Sequence, residues 1–243
     1  MLRRALPSAH VLTAVVFVPT PPLLVPELVG CAAEQTQALR DACLSAVGTL
    51  AEVSNSWVAI GAYGTDLELG PDARGSWSSF GADVAVSLGP NAHTATDPAL
   101  PLPALVAGWL RAEVAPQAAI GLRLYARDTP LARCVELGRL LGEDPQNHAL
   151  LVLGDGCTTL TEKAPGALDE RAAAVQDEID HGLSTIDRSA IVGLDATLCS
   201  ELGVSGRVPW QVAVSAVGDG WRARSLYCGA PFGVGYQVAT WVR

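Results

Sequence analysis

The residues best able to do chemistry lie in one short stretch, Gly154-Asp155-Gly156-Cys157-Thr158, directly after an apolar run ending at Leu153. A carboxylate there can orient a substrate, act as a general base, or support its turn by accepting backbone N–H bonds; capping or loop support is the role expected of Asp155. Cys157 places a thiol beside the Thr158 hydroxyl, but no histidine is near in sequence and an unactivated thiol is mostly protonated at neutral pH. It is read as structural. Tyr63 carries a phenol that titrates far above neutral pH, so it is expected to fill a pocket rather than to bind a ligand through its oxygen. The 4 histidines, His10, His93, His148 and His181, form no HxH, HxxH or HExxH grouping. Only His93 is a loop candidate. A metal site from His93, Asp66 and Asp155 would require convergence in three dimensions that spacing does not announce, so no metal is expected.

Periodicity shows what must position these groups. Val11–Val18 is β-branched and uncharged, a strand buried on both faces, and it runs into a proline-rich loop. Cys31–Val53 repeats apolar residues at helical spacing, and Ser56–Ile60 is the next short strand. Gly61–Gly81 reads as a long irregular connection and Asp83–Leu88 as a third strand. Helices are expected over Leu102–Val114, Pro130–Leu141 and Asp169–Leu183, with helical turns over Asp187–Leu202. Strands are expected at Ala118–Tyr125, His148–Leu153, Trp221–Cys228 and Val234–Val242. Trp210–Val217 fits either type. The alternation predicts an α/β chain, 1–243 as a single domain, with a mostly parallel central sheet and helices on both faces. Such sheets bind ligands at the carboxyl ends of their strands. The loops to watch are therefore Pro19–Glu27, Gly61–Asp66, Gly154–Glu162 and Tyr227–Gly235.

Composition narrows the partners. At 243 residues, 49% hydrophobic, the chain can bury a large core. A net charge of −9 without a basic stripe argues against nucleic acid. The longest apolar run falls short of the ~20 residues of a spanning helix, so no membrane association is expected. The opening Met1-Leu2-Arg3-Arg4 imitates an export signal, but the apolar run behind it is short and meets prolines. The 6 cysteines lack paired or zinc-ligand spacing, which fits reduced thiols and a cytoplasmic location. The apolar excess also leans towards a homo-oligomer.

Three segments carry a family resemblance. Phe17–Leu28, reading Phe-Val-Pro-Thr-Pro-Pro-Leu-Leu-Val-Pro-Glu-Leu, resembles the opening strand and loop of class III extradiol ring-cleavage dioxygenases, those similar to the catalytic subunit of protocatechuate 4,5-dioxygenase. Leu151–Pro165 resembles that family's strand and catalytic loop, and Ala230-Pro-Phe-Gly-Val-Gly-Tyr236 its C-terminal motif. They occur in the family's order and span nearly the whole chain.

The resemblance implies an α/β fold of the class III extradiol dioxygenase type. In catalytic members it implies ferrous iron held by two histidines and a glutamate, with a further histidine as acid and base. Here the first ligand position falls on Thr20, the second on Tyr63, and the acid/base position on Thr158. The carboxylate position falls on Cys228, Gly229 or Ala230. None is a good substitute: hydroxyls bind iron poorly beside imidazole, and threonine does not titrate near neutral pH. With Fe(II) ligands and acid/base group absent together, no cofactor is expected. The chain is then expected to bind a small molecule or to serve in assembly. The alternative is an enzyme with a repurposed cleft, metal-independent through Asp155, Thr158, Tyr63 or Cys157, or an oxygenase with substitute ligands.

Overall fold

A computed structural model describes residues 12–30, 33–146 and 148–243; His10, Cys31, Val11 and the export-signal mimic lie outside them. Strand β1 (Ala14–Val18) is buried at every position, as its unbroken apolar sequence requires. It pairs in parallel with β7 (Ala149–Leu153), aligning Val18 with Leu153. β7 pairs in parallel with β2 (Ser56–Tyr63), and β2 with β6 (Ala119–Ala126). These four form the centre of a seven-stranded sheet ordered β3-β6-β2-β7-β1-β9-β8.

The margins are antiparallel. β3 (Leu67–Leu69) covers the β6 edge, β9 (Tyr236–Val242) lies beside β1, and β8 (Arg222–Gly229) follows β9 with a register shift at Ser225/Tyr227. The sheet is thus mixed around a parallel core. The segment expected to be irregular, Gly61–Gly81, contains β3 and β4 (Arg74–Ser76), and Trp77 beyond it is fully buried. Asp83–Leu88 yields β5 (Ala85–Ser87), but β5 pairs only with β4, in a separate two-stranded sheet. Of its three residues only Val86 is buried, so it lacks the two-faced burial a central strand needs.

After the short α1 (Pro26–Val29), helices α2 (Ala33–Val53) and α3 (Leu102–Val114) cover one sheet face, where Leu39, Cys43, Val47 and Leu50 meet Val16 and Ala59. The other face lies under α4 (Leu131–Glu143), α5 (Ala172–Thr185), α6 (Arg188–Val192), α7 (Ala196–Glu201) and α8 (Arg207–Ala216). The ambiguous segment is helical: Pro209 falls in the first turn of α8, where a missing N–H costs no intrahelical bond. Helix α5 starts three residues later than expected because the Asp169 carboxylate accepts from the backbone and side chain of Arg171, closing a local turn. No helix among the described residues is long and apolar enough to cross a membrane.

Candidate functional site

Strands β1 and β2 lead into connections on the α2/α3 face, whereas β6 and β7 lead to the opposite face. Adjacent strands with opposite exits open a crevice at their carboxyl ends, the place where open α/β sheets bind ligands. Two places matter here: such a crevice at the β1/β7 mouth, and a groove nearer β6 lined from the residues after β6 and from the α7–α8 segment.

At the β1/β7 mouth the loops are tied together. Arg40 of α2 donates from Nε to the Leu24 carbonyl at 2.7 Å, holding the β1 loop against its helix. Asp155, half-buried at the end of β7, accepts from the Thr20 backbone N–H and the Thr20 hydroxyl, both at 2.7 Å. Ser205, preceding α8, accepts the Asp155 N–H at 2.9 Å and faces the carboxylate at 3.4 Å. Of the two structural roles expected of it, capping or loop support, Asp155 takes loop support: its partners are 135 and 50 residues away. Burial raises its pKa, an effect that outweighs the hydrogen bonds from Thr20 and Ser205 and the nearby Arg127 charge. Gly154 lets this mouth close, since a Cβ there would lie 2.4 Å from the Gly206 Cα.

The two family-like loops run side by side. Gly156 N–H donates to the Gly235 carbonyl at 2.8 Å, Gly235 N–H to that of Cys157 at 2.9 Å, and Leu160 N–H to that of Gly233 at 3.1 Å. Buried Gln176 of α5 plugs the space beside them, accepting from Cys157 N–H and donating to Asp180, both at 2.9 Å. A Cβ on Gly235 would fall 2.0 Å from the Gln176 Oε1, which explains the glycine by close approach.

The other candidates are dispersed. Cys157 is fully buried and burial pushes its thiol up to about 12, unsuited to a nucleophile. Thr158 donates its N–H to Leu202 at 2.9 Å, and its hydroxyl approaches the same carbonyl at 3.4 Å. Tyr63 is 37% exposed at the end of β2, too open to plug a pocket. Asp66 accepts from the Ala126 N–H at 2.8 Å, an anchor for the β6 end. No group of three or more His, Cys, Asp or Glu among the described residues is placed to hold a metal ion, so His93, Asp66 and Asp155 are not brought together. Cys228 donates to Asp180 at 3.1 Å; burial, then that bond, pushes its thiol up to about 12.

The groove nearer β6 went unforeseen. It encloses about 440 Å³ between the residues after β6 and the α7–α8 segment. Arg127, Asp128, Thr197, Glu201, Ser205 and Arg207 are among its lining. Arg207, only 4% exposed, donates to Gln211 Oε1 at 3.0 Å and to the carbonyls of Arg127 and Thr129 at 2.8 and 3.2 Å. Gln211 in turn faces the carbonyls of Ile191, Val192 and Leu194, each at 3.3 Å, fixing the turn between α6 and α7. No motif flagged these residues. Gln176 did leave a signal: it shares the helical face of Val175, Ile179 and Leu183, where a polar residue must find partners.

The fold is shared with a solved structure. The chain is similar to the uncharacterized protein JW3007 of Escherichia coli K12, with a TM-score of 0.54 at 10% identity, over 95% of this chain and 100% of that one. At that identity the likeness concerns the fold alone. No family model and no curated protein matches the sequence.

Proposed function

We propose that this chain is a metal-independent small-molecule-binding protein on a class III extradiol dioxygenase-like fold, without iron-dependent ring cleavage. One observation carries the proposal. Thr20, at the position where the resemblance calls for the first histidine ligand, turns its hydroxyl into a hydrogen bond with Asp155. A carboxylate satisfied by three donor groups from two other loops is spent on holding the mouth together. The described cysteines are free, Cys43, Cys134, Cys157, Cys199 and Cys228, in keeping with a reducing cytoplasm. The enzyme alternative has one point in its favour, the raised pKa of Asp155 in a strand-end crevice, which is where a general acid would stand.

The test is a thermal-shift screen of small metabolites, protocatechuate and catechol included, in buffer containing EDTA. The expected outcome is that at least one compound raises the melting temperature without metal, because a ligand that binds only the folded state stabilises it. A shift that appears only with Fe(II) and is accompanied by a yellow ring-opened product would overturn the proposal, as would a screen in which nothing binds.

A further inference from the structure

The geometry points to the groove beside β6 as a site for a small oxyanion-bearing metabolite, with Arg207 at its floor and Arg127 at its rim. The inference rests on the small-molecule-binding reading and names the ligand class. Its starting point is a buried cation without a counter-charge. Among the described residues the Arg207 guanidinium forms no ion pair; its acceptors are an amide and two backbone carbonyls, all neutral. Buried charges are ordinarily paired, since neutral acceptors return only part of the lost hydration.

Arg111 shows the contrasting case. It is 5% exposed and gives its guanidinium to the carbonyls of Ser87, Pro116 and Ala118 and to the Ser87 hydroxyl, serving as a tie in the interior, away from the groove lining. Arg207 differs in belonging to the lining of a groove of about 440 Å³, a size that suits a small metabolite. Exposed Arg127, on the same lining, forms no ion pair among the described residues. Helix α8, 10 residues long, begins at this floor, and the positive end of its dipole favours an anion there. Two acids also line the groove. Glu201 is held by Arg171 at 2.8 Å, and Asp128 is exposed. The ligand should therefore present its carboxylate or phosphate inward and a neutral or cationic part towards Asp128.

Isothermal titration with inorganic phosphate and with succinate, each against sodium chloride at equal ionic strength, tests the inference. At least one anion should bind with a Kd below about 1 mM, a modest affinity for a charged fork meeting an oxyanion. Binding of phosphate alone assigns a phosphate ester; binding of succinate alone assigns a carboxylate. Arg127→Ala should weaken binding about tenfold, as expected for loss of one charge-assisted hydrogen bond. Thr197→Trp, on the exposed wall, should block binding, and both variants should melt with the parent protein. Arg207→Lys, which keeps the charge but loses the fork, should also weaken binding. Failure of both anions to bind beyond the chloride control, or parent-like binding by both Arg127→Ala and Thr197→Trp, would overturn the inference. If neutral catechol binds and neither anion does, the small-molecule reading stands and this inference falls; if none of the three binds, both fall.

Discussion

The β1/β7 mouth and the groove beside β6 open on the same end of one sheet and share Ser205, yet they are built oppositely. At the mouth the carboxylate and the amide each face groups from the same chain: Thr20 and Ser205 on Asp155, and Gln176 between Cys157 and Asp180. In the groove the buried Arg207 guanidinium meets only neutral acceptors, and exposed Arg127 lines the space beside it. Polar groups matched with one another hold loops, whereas cations without a counter-charge on the lining of a groove can take an anion. Thr20, at the position that the resemblance assigns to an iron ligand, belongs to a clasp, and the room proposed for a ligand lies nearer β6.

The largest expected effect comes from prising the clasp open. In Gly154→Ala the new methyl meets the Gly206 backbone rather than a movable side chain, so the β7 loop and the start of α8 must separate. A loss of about 3 kcal/mol by urea denaturation is expected, typical of overpacking against an unyielding neighbour. Ser200→Ala, a comparable change on the exposed groove wall, should stay within about 0.5 kcal/mol. Equal losses at the two sites would erase the distinction between a locked region and an open one.

Asp155 gives a smaller effect with a pH signature. Asp155→Ala strands the Thr20 N–H and hydroxyl and should cost about 2 kcal/mol at pH 7. Asp155→Asn keeps an acceptor and removes the titration. Because burial raises the carboxyl pKa, the folded protein holds this proton more tightly than the unfolded chain does. The stability Asp155 contributes is therefore full below the unfolded value, about 3.9, and is lost as pH rises through the higher folded value. Wild-type stability minus that of Asp155→Asn should fall as pH rises above about 4 in urea titrations, with Asp180, also raised by burial, cancelling between the two proteins. A difference that grows with pH would mean that the Thr20 and Ser205 donors outweigh burial.

The parallel centre was legible because β1 and β7 are continuous apolar runs, a pattern that only burial on both faces explains. Leu102–Val114 was readable to the residue, its prolines preceding and opening the helix. Asp83–Leu88 misled because alternation in a short segment reports a strand without reporting which sheet it joins. At the site, the family-like motifs led to Asp155 and to the glycines beside Gln176, groups fixed by local loop geometry. Arg207 and Ser205 were invisible, since an arginine opening a helix and a serine beside a glycine look like ordinary surface residues. Only the tertiary packing of α8 against the Arg127–Thr129 link buries that guanidinium.

The central claim, that the clasp has replaced the metal, is tested most directly by an anaerobic Fe(II) titration followed by calorimetry on protein stripped with EDTA. At the positions that the resemblance assigns to imidazoles, Thr20, Tyr63 and Thr158 offer hydroxyls and a phenol, and at the one assigned to a carboxylate stands Cys228, Gly229 or Ala230, none of them acidic. The predicted result is heat indistinguishable from dilution up to millimolar iron. Saturation at one Fe(II) per chain, with micromolar affinity that Thr20→Ala or Asp155→Asn abolishes, would contradict it.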